Sequence, residues 1–261
     1  MNLPERARLA LSQAADFLFP PHCAFCGALL PGERTPLGYC AACESGLPWV
    51  LAPWCLRCGI PFHAFDGGKV PHKVSQEGGH ACGKCTLDPP PFERARSAVH
   101  YKDQVRSAIL RFKYGRDFSV LKSLEHLLAR GFESLREGAP PPEALCPVPL
   151  HPSRVRERHF DQARILCARL SARIGIPAQL GALRRARKTD FQASLSKEER
   201  ARNVRGAFEA AKGAKVRGKR VLLVDDVFTT GATARECARV LLDQAGAKSV
   251  DVLCIAMAVP E

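Results

Sequence analysis

The sequence predicts an α/β fold: a parallel sheet flanked by helices, preceded by a small metal-binding domain built on cysteines. Three observations carry this expectation. Eight of the twelve cysteines form four Cys-x-x-Cys pairs, and all eight lie before residue 86. Beyond residue 95, short apolar runs alternate with stretches whose apolar residues recur at helical spacing, the order of strand–helix–strand units. Two of those runs, "VLLV" (221–224) and "VLCIAMAV" (252–259), are apolar throughout, as strands buried on both faces are.

Residues 1–20 read as an amphipathic helix, with Leu3, Ala7, Leu11, Ala14 and Leu18 at helical spacing. The cysteine pairs follow within a domain expected over 21–90: Cys23/Cys26, Cys40/Cys43, Cys55/Cys58 and Cys82/Cys85. Two intervening residues let both sulfurs of a tight knuckle face one metal ion, and two knuckles complete a tetrahedral site of four thiolates. Gly27 and Gly59 each follow a pair and ease the turn. Two structural Zn²⁺ ions are therefore expected. Sequential pairing places Cys23, Cys26, Cys40 and Cys43 on one ion and Cys55, Cys58, Cys82 and Cys85 on the other; interleaved pairing stays open. His80 stands beside a Cys pair and is not needed as a ligand, and His63 and His72 read as solvated residues of a Gly-rich linker. Disulfides would need an oxidising compartment, and the N-terminus lacks the continuous apolar core of a secretory signal. No apolar run approaches the ~18 residues of a membrane span. A cytoplasmic protein is expected. Cys146, Cys167, Cys237 and Cys254 are isolated among apolar residues and read as inert core thiols.

The proline-rich stretch over 86–95 marks the border of a second domain, expected over 91–261. Its elements are a strand over 97–101, helices over 103–115 and 117–136, a strand over 145–150, a helix over 161–174, the central strand over 219–227, a helix over 231–245 and a last strand over 249–258. Ligands of such sheets sit at the carboxyl ends of the strands. Charge points the same way. Residues 151–220 hold 19 Lys and Arg against 6 Asp and Glu, an excess of 13 that equals the formal net charge of the whole 261-residue chain. A block of this kind suits an anionic partner.

The stretch "VLLVDDVFTTGAT" (221–233) joins these features. An apolar strand ends in Asp225 and Asp226, and Thr229 to Thr233 lead into a helix N-terminus. Backbone N–H groups and the helix dipole there suit a phosphate, while the two carboxylates a few ångströms away suit vicinal hydroxyls or a metal ion. A sugar phosphate such as a ribose 5-phosphate fits both ends. The Gly-Lys-Ser/Thr tail of a P-loop is missing. A plain capped helix accounts for one Asp but not for two beside "TTGAT".

This stretch is similar to the phosphoribosyl-pyrophosphate (PRPP) motif of type I phosphoribosyltransferases. Taken with the cysteine knuckles, "PVPLHPSRVRERHFDQA" (147–163) and "RKTDFQASLSKEERARNVRGAF" (187–208), the order along nearly the whole chain resembles the ComF family, also described as competence protein F or GntX-like. The resemblance implies a type I phosphoribosyltransferase-like parallel sheet behind a double zinc ribbon. It implies PRPP, with Mg²⁺, bound by Asp225, Asp226, Val227, Phe228, Thr229, Thr230, Gly231, Ala232 and Thr233, the two acids on the ribose hydroxyls and Thr229 to Thr233 on the 5-phosphate. Leu150, His151, Ser153 and Arg154 take the place of the pyrophosphate loop. Residues 184–206 take that of a hood, from which Arg187, Lys188, Gln192 and Arg200 are expected to close over the leaving group; Asp225, Asp226, Lys188 and Arg154 form the catalytic set. The family's usual Arg-Gly-Phe-Asn-Gln is here Arg158, His159, Phe160, Asp161 and Gln162.

Two function classes follow. One is an enzyme that transfers the ribose phosphate to an acceptor, in nucleotide or base metabolism if DNA is not involved. The other is a nucleic-acid-binding protein that uses the same fold as a platform, and several family members are linked to natural transformation, the uptake of single-stranded DNA. DNA-uptake proteins are then expected partners. Trp49 and Trp54 are the sequence's best base-stacking residues, though packing of the domain junction suits them better.

Overall fold

The computed structural model describes residues 20–30, 37–62, 80–187 and 197–258. Residues 1–19 of the expected N-terminal helix, the linker carrying His63 and His72, and Lys188 and Gln192 lie outside the described residues.

The core is a four-stranded parallel sheet. Its strands are β1 (Ala95–His100), β2 (Ala144–Pro147), β5 (Arg220–Phe228) and β6 (Ser249–Met257), in the order β1-β6-β5-β2. Register places Leu223 between Cys146 and Val252, at the centre of the sheet. Helices α3 (Asp103–Gly115), α4 (Leu121–Arg136) and α6 (Gln162–Ile174) pack Ile109, Leu124, Leu128 and Leu166 against Leu222, Val224, Leu253 and Ile255. On the other side, α8 (Ala232–Asp243) brings Cys237, Val240 and Leu241 against Val221, Leu223 and Val252. With both faces covered, β5 and β6 must be apolar at successive positions, which is why they read as unbroken runs. Cys146, Cys167, Cys237 and Cys254 are buried in this core, and burial raises each thiol, as suits inert packing residues.

Elsewhere the elements depart from the periodicity. The strand expected over 145–150 stops at Pro147, since Pro149 in "PVPLHP" has no N–H to continue the ladder. A short helix, α5 (Pro152–Arg158), follows; His151 caps it by accepting the Ser153 N–H on Nδ1 at 3.2 Å, and Pro152 fills the first turn, where no N–H is needed. The helix expected from 117 opens instead as a 3₁₀ turn (Phe118–Val120), because Asp117 accepts the Ser119 N–H. The hood segment holds regular structure at its base: antiparallel strands β3 (Leu183–Arg185) and β4 (Phe208–Ala210), and helix α7 (Lys197–Val204).

Both edges of the sheet are covered, which removes the unpaired rows that invite association. The segment after the second cysteine pair lies along β1, where Val50 donates to the Ala98 carbonyl at 2.9 Å and His100 to that of Pro48 at 2.7 Å. Residues 177–179 do the same for β2, through Leu145 N–H to Pro177 O at 2.9 Å and Gln179 N–H to Leu145 O at 2.7 Å. The third cysteine pair docks on β1 as closely: Ala95 donates to the Arg57 carbonyl at 2.7 Å, and the buried Arg96 guanidinium reaches Leu56 O at 3.3 Å and covers the Trp54 ring at 5.4 Å. Trp49 bridges to Val99 and lies under Arg130 at 5.1 Å, so both tryptophans pack the junction.

Gly59 makes this docking possible. Its φ is +73°, and a Cβ there would collide with the Ala95 carbonyl. Gly59→Ala should therefore cost at least about 1–2 kcal/mol from the left-handed backbone alone. Denaturant unfolding should show the loss, and a variant as stable as wild type would remove this contact from the account of the junction.

Candidate metal centres and strand-end acidic site

Each cysteine cluster joins two unlike knuckles. In the first, Cys23 and Cys26 flank a turn closed by Gly27 N–H to Cys23 O at 2.9 Å, with Gly27 at φ +74°. In the second, Cys40 stands at the N-terminal cap of a one-turn helix, α1 (Ala41–Ser45), and Cys43 lies in that turn. The other cluster repeats the plan, with Cys55 and Cys58 on a turn closed at Gly59, and with Cys82 capping α2 (Gly83–Leu87), which holds Cys85. The pairing is sequential: within each set of four, all sulfurs lie within 4.8 Å of one another. Cys26 to Cys40 and Cys58 to Cys82 are 3.8 Å each. Four ligands about 2.3 Å from a tetrahedral Zn²⁺ stand about 3.8 Å apart, so the clusters fit that ion. Cys55 Sγ accepts the backbone N–H groups of Cys82 and Cys58, at 3.2 and 3.5 Å. Hydrogen bonding from Cys58, with these N–H groups, favours the Cys55 thiolate, while the same bond raises Cys58. His80 stacks flat on Phe62, with ring centroids 4.2 Å apart, and takes no place in the cluster.

The second site lies at the carboxyl end of β5. Strand alternation sends Asp225 and Asp226 to opposite faces of the sheet. Asp226 meets Lys113, from the last turn of α3, with Nζ 2.7 Å from Oδ1; the two side chains keep only 16% and 6% of their surface, Lys113 first. Asp226 Oδ2 is buried with no partner. Asp225 Oδ1 accepts the Asp226 N–H at 2.8 Å. Burial, with the Asp226 carboxylate beside it, raises Asp225 to about 8 against the opposing pull of Lys113. Burial by itself would lower Lys113; the Asp226 carboxylate outweighs it and the ammonium is held more firmly. The sequence reading missed Lys113. Its only local signal is a cation on the helix stripe of Ile109 and Phe112, where apolar residues are expected.

From Phe228 the chain turns through Gly231, at φ +77°, into α8. A Cβ on Gly231 would sit 2.9 Å from the Phe228 ring, which is itself held edge-on by Phe92 at 6.3 Å. Thr229 is exposed, Thr230 and Thr233 half-buried, and Thr230 Oγ1 accepts the Ala232 N–H at 3.4 Å. Val227, like Thr230, keeps part of its surface. The turn after β2 stands in the neighbouring strand position. There Asp161 accepts the Leu150 N–H at 3.1 Å on one oxygen and caps α6 through the Arg164 N–H at 3.0 Å on the other. His159 ends α5 at φ +67°, the conformation that a glycine adopts freely and a histidine only under some strain.

Among the expected site residues, Asp225 and Asp226 with Val227 to Thr233 form one continuous strand-end and loop, and Leu150, His151 and Ser153 lie at the end of the adjacent strand. His151 Nδ1 is within 2.8 Å of Ser153 Oγ. Arg154 is engaged with Glu157 at 3.2 Å on its own helix. Arg187 donates to the carbonyls of Asn203 and Arg205 at 2.8 and 2.9 Å, stapling the base of the hood. Glu236 adds a second staple by accepting the Gly206 N–H at 2.7 Å.

A parallel sheet whose central strand ends in paired carboxylates and turns through a glycine into a helix is a phosphoribosyltransferase-type domain. The phosphoribosyl transferase domain family matches residues 162–260, and the double zinc ribbon domain family matches residues 14–86. The chain is 30% identical to the DNA utilization protein YhgH of Salmonella typhi over 231 residues, 87% of this chain and 93% of that protein. It is 34% identical to YhgH of Escherichia coli K12 over 176 residues, 67% and 76% of the two chains. Competence protein F of Haemophilus influenzae is 29% identical over 224 residues, 85% and 91% of the two. The chain belongs to this ComF family of competence protein F and YhgH. Lys113, Leu150 and His151 all precede the segment matched by the transferase family.

Metal analysis of the purified chain should return two zinc ions, one per cysteine cluster. Cys55→Ser should lose one of them and free the second ribbon from β1 while the sheet persists, because the ion supplies that small unit's folding energy; a variant that keeps both ions contradicts the ligand set. Lys113→Met leaves a buried carboxylate unpaired and should cost about 3–5 kcal/mol in denaturant unfolding, most of it recovered when Asp226→Leu is added. A cost under about 1 kcal/mol, without that recovery, would show that the pair does not hold the site.

Proposed function

We propose that this chain is a ComF-type phosphoribosyltransferase-like protein that binds PRPP with Mg²⁺, binds single-stranded DNA, and acts in DNA uptake. The observation that carries the ligand is the buried, unpartnered Oδ2 of Asp226 beside Asp225, at a strand end that turns into the N-terminus of α8. Seven buried side-chain polar atoms lack a hydrogen-bond partner among the described residues, and this one belongs to the acidic pair at the strand end, where the hydroxyl of a sugar suits it. In this reading Asp225 and Asp226 accept hydrogen bonds from the ribose hydroxyls, and the loop from Thr229 to Thr233 holds the 5-phosphate. Leu150, His151 and Arg154 flank the pyrophosphate, and Lys188 supplies it a further cation. A nucleophile attacks the anomeric carbon as the bond to pyrophosphate breaks, and cations near the departing group stabilise its charge. Mg²⁺ supplies charge neutralisation at the pyrophosphate when bound, and the two carboxylates are hard oxygen donors that suit such an ion.

The DNA half of the proposal rests on relatives named for DNA utilization and competence, and on the excess of positive charge over residues 151–220. PRPP is an anion drawn to the same segment, so it competes with DNA in this reading.

Calorimetry of the zinc-loaded chain with PRPP and MgCl₂ should show binding that the double variant Asp225→Asn, Asp226→Asn loses; equal affinity in the variant would refute the site. Oligonucleotide affinity should fall with salt at a log–log slope of about −0.7 per phosphate neutralised, near −3 for a site of about four contacts, and should weaken under saturating PRPP. A flat salt response, with pyrophosphate release only in the presence of a free base, would favour a phosphoribosyltransferase of nucleotide metabolism instead.

A further inference from the structure

The last turn of α3 sends consecutive side chains in opposite directions. Lys113 turns inward to Asp226, and Tyr114 turns outward with 55% of its surface exposed. The Tyr114 ring is fixed all the same. The guanidinium of Arg158, itself buried, lies 4.7 Å from the ring centroid, and its Nη2 donates to the Tyr114 hydroxyl at 3.0 Å. One face of the ring therefore rests on a cation, while the ring's large exposure leaves the other to solvent. Four residues on, Phe118 is 48% exposed. It is held against Phe160 at 5.1 Å and edge-on against the buried Phe112 at 5.8 Å, and Phe112 in turn meets Phe160 at 5.3 Å. Among the described residues, the aromatic side chains that count as exposed large hydrophobics are these two.

Exposed aromatics fixed from behind have the chemistry of a base-stacking surface. A planar ring backed by a guanidinium loses little freedom when a base settles on its open face. Arg116, exposed between the two rings in sequence and at φ +53°, adds a cation for the backbone that joins successive bases. Arg158 ends α5, and Asp161, two residues past the turn it begins, fixes Leu150 at the end of β2, so the platform adjoins the proposed ligand site. Trp49 and Trp54 offer no such surface, because each lies half-buried in the junction under an arginine.

We propose that Tyr114 and Phe118 form a stacking platform for the bases of single-stranded nucleic acid, at the rim of the strand-end acidic site. The proposal rests on the single-strand reading above and assigns it a surface. Stacking of this kind contributes about 5- to 150-fold in affinity per base. It is indifferent to base identity, whereas phosphate contacts set the salt dependence.

The test uses fluorescence anisotropy of the full zinc-loaded chain with an oligothymidylate and with an abasic oligomer of equal length. Wild type should prefer the base-bearing strand. Tyr114→Ala and Phe118→Ala should each weaken the oligothymidylate by about 5- to 150-fold. They should leave the abasic oligomer and the salt slope unchanged, and Tyr114→Trp should retain affinity. Equal losses on both oligomers, or none on either, would overturn the platform while leaving DNA binding itself standing. A wild-type chain that binds neither oligomer overturns the single-strand reading and the platform with it. A wild-type dimer that Tyr114→Ala dissolves would assign the patch to a second copy of the chain and overturn the proposal as well.

Discussion

The ion pair between Lys113 and Asp226 sets the terms for the functional end of the molecule. A carboxylate at the end of a strand covered on both faces has almost no water, and an unpaired charge there would cost several kcal/mol. Lys113 compensates one oxygen and leaves the other without a partner. Position follows from this constraint. α3 must end where its last turn reaches the end of β5, and the left-handed cap at Arg116 then turns the chain away toward the 3₁₀ turn and α4. The site thus draws its acids from one half of the chain and its buried cation from the other.

The cysteine ribbons answer a different constraint. Neither cluster gathers enough apolar side chains for an independent core, and units of this size depend on metal for folding. Once closed, they act on the sheet. The segment between them supplies hydrogen bonds to the free edge of β1, and the second ribbon seats its turn on Ala95 and Arg96. Arg235, on the first turns of α8, donates to the Asp88 carbonyl at 2.6 Å, tying the chain after Cys85 to the helix that opens the candidate phosphate loop. Folding of the ribbons and order at the candidate strand-end site are therefore linked through α8 and β1.

The turn after β2 carries both departures from the family pattern. His159 takes the left-handed conformation that glycine would adopt at lower cost, and Asp161 uses both carboxylate oxygens, one on Leu150 and one on the cap of α6. At 161 an Asn or an Asp supplies the side-chain oxygen that such a cap needs, whereas at 159 the backbone itself takes the strain of a positive φ.

The sequence by itself determined what local spacing and burial can encode. Two-residue cysteine spacing specifies metal knuckles, unbroken apolar runs specify strands covered on both faces, and "VDDVFTTGAT" places acids and a glycine-started helix within a few residues. It left the pairing of the knuckles open, since that depends on which turn meets which one-turn helix in space. It assigned no regular element to the hood that the resemblance implies, because the three-residue strands β3 and β4 at its base are too short for periodicity to register. It preferred junction packing for Trp49 and Trp54, which the structure shows, but it did not point to Tyr114 or Phe118, because ring area is visible in a sequence and exposure is not. Lys113 lies 113 residues before Asp226 along the chain, and Arg158 lies 44 after Tyr114. Only the tertiary structure brings these charges to their partners, because the Coulomb attraction and desolvation that fix such pairs act through space, at distances that sequence separation does not measure.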